Sequence, residues 1–230
     1  MNLLPTILAA NNHGIACMVE KDFSAAIAMF RKSLELLHNF MALNHTNVTP
    51  PPETFSRPSS GTSMETSLTC LGDSMDTNGC AVFDRCFYML PGETRPQEGR
   101  VPLQQDEEKQ LLIAMLLFNT ALATHLQGLR SGVQRFALFA KAQRIYKMAT
   151  EILQNQDLSN DDDSANLLLA ISNNLACLAL EMQNFDAFEV FREWMKILIL
   201  DDSRGDFYHD FFSTNYVAAC CVRARHAPAA

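Results

Sequence analysis

Asn12-His13-Gly14, followed by Asp22-Phe23, Ala26 and Phe30, sets a pattern that returns twice along the chain. The second copy reads Asn119-Thr120-Ala121, then Ala142, Tyr146 and Ala149. The third reads Asn174-Leu175-Ala176, then Asn184-Phe185-Asp186-Ala187 and Phe191. Each copy opens with a helix-length apolar run carrying one asparagine. Each continues through a loop into a second, amphipathic run. Apolar residues at three- and four-residue spacing turn one helix face to a core. A helix pair cannot cover that face alone, so repeated pairs stack into an array. Such arrays ordinarily bind other proteins.

The apolar periodicity in and around these copies predicts six helices. The first runs from about Leu4 to Val19 and stops at Glu20-Lys21-Asp22. Ser24 can cap the second, which runs to about Phe40 with Ala26, Ile27, Phe30, Leu34 and Leu37 on one face. Asp106-Glu107-Glu108 opens the third, its acids suited to the positive end of a helix. Leu111 to Leu122 is apolar nearly all round, which places this helix at the centre of the fold. Gly128 and Gly132 mark the next loop, before a helix from about Phe136 to Leu153. The acidic run Asn160 to Ser164 leads into a helix over about 165–182, and the last runs from about Asp186 to Leu200.

The chain reads as a single domain over residues 1–230. A flexible Pro/Ser/Thr-rich insertion spans 44–80, with Pro50-Pro51-Pro52 and few large apolar residues. Such a stretch buries too little surface to offset its ordering entropy. Asn44-His45-Thr46 and Asn47-Val48-Thr49 fit the glycosylation pattern, and without a secretory leader both read as chance. The next stretch, Ala81 to Leu90, is β-branched and aromatic, and Pro91-Gly92 stops it. It predicts a strand, and a strand needs a partner. The aromatic stretch Phe207 to Val217 is the candidate; a short final helix is the competing reading there.

The formal net charge is −8, which argues against general nucleic-acid binding, because phosphates demand excess Lys and Arg. The seven cysteines show no zinc-like or CxxC spacing, and their odd number suits a reducing compartment, so the expected location is cytoplasmic. The most apolar run, Leu111 to Leu126, is shorter than the roughly 20 residues of a membrane span and reads as a buried helix.

The hairpins resemble tetratricopeptide repeats, a family of two-helix units of roughly 34 residues. Gly14 matches the family's small residue in the first helix, Asp22-Phe23 its turn, and Ala26 and Phe30 its second helix. Ala121, Ala142, Tyr146 and Ala149 match in the second unit, with a longer loop; Phe185, Ala187 and Phe191 match in the third. Trp194 takes a position that is small in the family, which suggests the end of the stack. The likeness covers about two-thirds of the chain and extends to small tetratricopeptide-like proteins of microalgae. It implies a mainly α fold: a stack of about three antiparallel hairpins, with the insertion and room for a small two-stranded β element.

The resemblance also implies a groove lined by first helices. Asn12, Asn119 and Asn174 occupy matching places there, and an amide both donates and accepts, as an extended peptide backbone requires. The plainer alternative is that they bond between helices. The family's clamp for acidic C-termini needs lysines that the first and third first helices lack. Arg130, Arg135, Lys141, Arg144 and Lys147 form a local basic excess that could attract an acidic partner, or simply a solvated face. No catalytic residues, cofactor site or metal site is indicated. The acidic run at Asn160 lacks the alternating spacing, glycine and final Glu of a calcium loop. His125 reads as core, and Cys220-Cys221 as a poor disulfide. The expected function is a non-catalytic scaffold that binds a protein or peptide partner. An enzyme or small-molecule binder with a pocket under the insertion, or a structural subunit burying apolar faces in an oligomer, are the alternatives.

Overall fold

The computed structural model describes residues 3–46, 64–70, 76–77, 80–91, 103–154, 162–201 and 207–226. Most of them are helical. The elements are α1 (Leu4–Val19), α2 (Phe23–Thr46), β1 (Met64–Cys70), β2 (Asp76–Thr77), β3 (Cys80–Ala81), β4 (Arg85–Pro91), α3 (Leu103–Arg130), α4 (Arg135–Gln154), α5 (Asp162–Glu181), α6 (Phe185–Asp201) and α7 (Phe207–His226).

Helices pair in chain order as three hairpins: α1 with α2, α3 with α4, α5 with α6. Successive hairpins pack through α2 on α3 and α4 on α5, and α7 adds to α6. The chain therefore continues for one more helix beyond Trp194. α1, α3, α5 and α7 also touch in sequence, and β2, β3 and β4 lie against these four.

The first and third hairpins turn in the same way. Lys21 and Gln183 have positive φ, at 66° and 56°. The next residue's N–H reaches back into the first helix, Asp22 to Cys17 and Asn184 to Ala179. That residue's side chain then caps the second helix: Asp22 accepts from the Ala25 N–H at 3.0 Å and Asn184 from the Ala187 N–H at 3.1 Å. The cap of α2 is thus Asp22, not Ser24. Ser24 instead accepts from Gln127 across the hairpins.

Gly14 lies against Phe30, where a Cβ would sit 2.6 Å from the ring. Gly128 is not a loop residue; it lies inside α3 against Phe139, with the same consequence at 2.8 Å. Phe23, Ala26, Phe30, Leu116, Phe118, Ala121, Ala142, Tyr146 and Phe191 are buried. Phe185 is 44% exposed, and Ala187 is only partly buried. Phe23, its counterpart in the first turn, is covered by Arg130 of the next hairpin at 4.9 Å. α3 is long and apolar enough to cross a membrane, but 83% of its most apolar window is buried inside the fold.

The strands differ from expectation. β4 does form over Arg85–Pro91, but its partner is β1, antiparallel, from Met64↔Pro91 to Cys70↔Arg85. Phe207–Val217 is helix, within α7. Part of the stretch expected to be flexible is therefore strand; residues 47–63, 71–75 and 78–79 of it lie outside the described residues. β2 and β3 form a second small antiparallel pair, Asp76↔Ala81 and Thr77↔Cys80.

Candidate functional site

A run of asparagine amides holds the segment Ala81–Phe87 that joins β3 to β4. Asn119, midway along α3, accepts from the Phe87 N–H at 3.0 Å and donates to the Phe87 carbonyl at 2.8 Å. Asn174, on α5, accepts from the Phe83 N–H at 2.8 Å and donates to the Phe83 carbonyl at 3.0 Å. Asn215, on α7, accepts from the Ala81 N–H at 3.2 Å and donates to the Ala81 carbonyl at 2.7 Å. Each amide thus engages both backbone groups of one residue. The residues held are 81, 83 and 87, all odd. In an extended chain alternate residues point their backbone groups the same way. At Phe87, which lies in β4, Asn119 therefore stands where a neighbouring strand would; Phe83 lies in the link 82–84, which is not strand although the sequence predicts one over Ala81 to Leu90.

The remaining amide hydrogens are used too. Asn119 donates to Asn11 on α1, and Asn174 to the Tyr146 hydroxyl, both at 3.1 Å. Asn215 donates to Asn173, which itself donates to the Ala81 carbonyl and to Asn174. Every donor of these four side chains has an acceptor, which fixes how each amide is turned. Asn119 and Asn174 are fully buried, and Asn11, Asn173 and Asn215 nearly so.

Side chains of the held segment fill the space between it and the helices. Val82, Phe83, Cys86 and Phe87 are buried. Phe83 meets Phe118 of α3 and Phe211 and Phe212 of α7, with centroids 5.0 to 6.5 Å apart. Phe87 meets Phe118 edge-on at 5.1 Å. Burial pushes the Tyr146 hydroxyl well above its ordinary range, so it stays neutral beside Asn174. Burial, and then the charge of Asp84, push the Cys86 thiol up. Cys86 therefore stays a protonated thiol, a small apolar group rather than a nucleophile.

Of the asparagines the sequence singled out, Asn119 and Asn174 are brought to one segment of backbone. They do not share an open face, because the chain's own segment covers them. Asn12 is not among these clamps: its neighbour Asn11 makes the link, and the side-chain amide oxygen of Asn12 has no hydrogen-bond partner among the described residues. Sequence reasoning missed Asn173 and Asn215. The doublets Asn11-Asn12 and Asn173-Asn174, both inside apolar helices, were the available signal for the first.

The basic residues divide. Arg130 lies over Phe23; Arg135 is ion-paired with Glu181 and lies over Phe139. Lys141, Arg144 and Lys147 are exposed on the outer side of α4, with Phe136 and Met148 exposed among them. His125 is buried edge-on to Phe139 and Tyr146, and neither ring nitrogen has a hydrogen-bond partner among the described residues. Burial holds it neutral, its pKa down to about 3. Cys220 and Cys221 are free. No group of three or more His, Cys, Asp or Glu placed to hold a metal occurs among the described residues.

The chain matches no family model, no curated protein and no solved structure. The chemistry of the site is neutral, amide-rich and directed at main chain.

Proposed function

We propose that this chain is a non-catalytic interaction scaffold, a tetratricopeptide-like stack of hairpins that binds an extended polypeptide on the side formed by α1, α3, α5 and α7. The observation that carries the reading is the set of paired contacts from Asn119, Asn174 and Asn215 to backbone N–H and C=O groups. Amides that take both polar groups of a residue recognise a polypeptide whatever its side chains. The small-molecule alternative lacks comparable support, because Asn119, Asn174 and Asn215 direct their amides at main-chain groups. The acidic-partner reading keeps a narrower basis in Lys141, Arg144 and Lys147, exposed on α4.

A photo-crosslinkable library of unstructured decapeptides, incubated with the full chain, tests the choice. Saturable binding with crosslinks on α1, α3, α5 and α7 supports the cleft. Crosslinks confined to acidic peptides and to α4 near Arg144 move the site to the basic face. Absence of saturable binding overturns the scaffold reading for peptides.

A further inference from the structure

The clamps bind a segment that is already present. Ala81–Phe87 is gripped through its main chain and through aromatic side chains seated among Phe118, Phe211 and Phe212. The asparagine contacts to Ala81, Phe83 and Phe87 are made with main-chain atoms. They would form equally with a second polypeptide. The only strand paired with β4 is β1, so the segment belongs to a two-stranded hairpin among the described residues. Such a hairpin has little stability of its own. An incoming peptide that remakes the same contacts would exchange with it like for like, against the tether that keeps the segment beside the cleft.

Resting on the peptide-binding reading above, we infer that Ala81–Phe87 is a built-in competitor for the asparagine cleft, and that the external partner is an extended peptide bearing two aromatic residues four positions apart. The spacing follows from the occupant. Phe83 and Phe87 are the residues held by Asn174 and Asn119, and both rings are buried against Phe118. Position 81 is small, in contact with Asn173 and Asn215. Val82 and Cys86, apolar and fully buried, require neutral side chains in the partner at the corresponding places. A tethered competitor lowers the apparent affinity of the partner by the fraction of time the cleft is open. Weakening the competitor should raise that affinity.

The probe is a fluorescein-labelled synthetic peptide of residues 80–91, titrated into the full-length chain and read by polarisation. The Phe83→Ala chain should bind it at least tenfold more tightly than the wild type. Adding Asn174→Leu to that chain should lose at least tenfold. If Phe83→Ala does not fold alone, the peptide should restore its helical circular dichroism; no restoration overturns the proposal. A folded Phe83→Ala chain that ignores the peptide overturns it as well. A probe with alanine at both aromatic positions should not bind. Equal binding by that probe would leave main-chain recognition standing and overturn the aromatic spacing.

Discussion

Asn174 shows what one amide carries. It satisfies the N–H and carbonyl of Phe83 and meets the Tyr146 hydroxyl, all out of water. Replacing it with leucine leaves two buried backbone groups unpaired, each costing about 1–3 kcal/mol. Asn174→Leu should therefore lose roughly 2–6 kcal/mol in urea unfolding, whereas Asn12→Ala, which breaks no clamp, should stay within about 0.5 kcal/mol. Equal losses would show that the clamps do not set stability. His125 makes the second residue-scale case. Its pKa falls from 6.5 to about 3 because burial disfavours the charged ring. The unfolded chain gains the proton first as pH falls, so the contribution is full above pH 6.5 and is lost on the way down to pH 3. At about 1.4 kcal/mol per pH unit, the wild type should lose about 2 kcal/mol more than His125→Leu between pH 7.5 and 5.0, by urea unfolding at each pH. The asparagines were legible in sequence because an amide inside an apolar helix demands a partner. The choice between Asn11 and Asn12 was not, since each residue advances only about 100° round a helix and both flank the buried face.

The helices were legible as elements because their apolar periodicity is long and each start or stop carries a turn residue. The β1 strand was not. Met64-Glu65-Thr66-Ser67-Leu68-Thr69-Cys70 is rich in Ser and Thr, and composition made it resemble the linker before it. Its threonines are β-branched, and Asn78-Gly79, the dipeptide favoured in two-residue hairpins, lies between the paired Thr77 and Cys80. Those signals outweigh composition once a strand at Ala81 needs a partner. α7 was equally open, because aromatic residues suit helix and strand alike. A methyl group on Gly14 would meet the Phe30 ring, which is fully buried and has nowhere to move. Gly14→Ala should cost roughly 1–3 kcal/mol in unfolding free energy, while Gly132→Ala, with open space around it, should not destabilise. Asp22→Ala and Asn184→Ala each remove the same capping bond, and thermal unfolding should show a similar loss of about 1 kcal/mol for both. A loss at only one would mean that the two turns differ in how their helices are held.

In the whole molecule, the insertion and the array are one cohesive unit. A decorative insertion would touch the helices at its base and leave their apolar side covered by their own residues. Here Phe118 packs on Phe83 and Phe87, and Asn119, Asn174 and Asn215 spend their amides on the insertion's backbone. Removing it would uncover those side chains and delete Val82, Phe83 and Phe87 from the core. At about 1.5–3 kcal/mol for each large apolar side chain lost, three of them approach the whole stability of an ordinary domain, about 5–15 kcal/mol. A chain in which residues 64–91 are replaced by a short Gly-Ser link should therefore lose most of its cooperative unfolding transition, followed by circular dichroism at 222 nm and by emission of its single tryptophan, Trp194. It should also bind a hydrophobic dye that the intact chain does not. A deletion that keeps the wild-type midpoint would show that the helices cover themselves, and that the asparagines have no structural need of an occupant. A lowered midpoint that the peptide of residues 80–91 restores would show the converse: the array is completed by whichever extended segment fills its cleft.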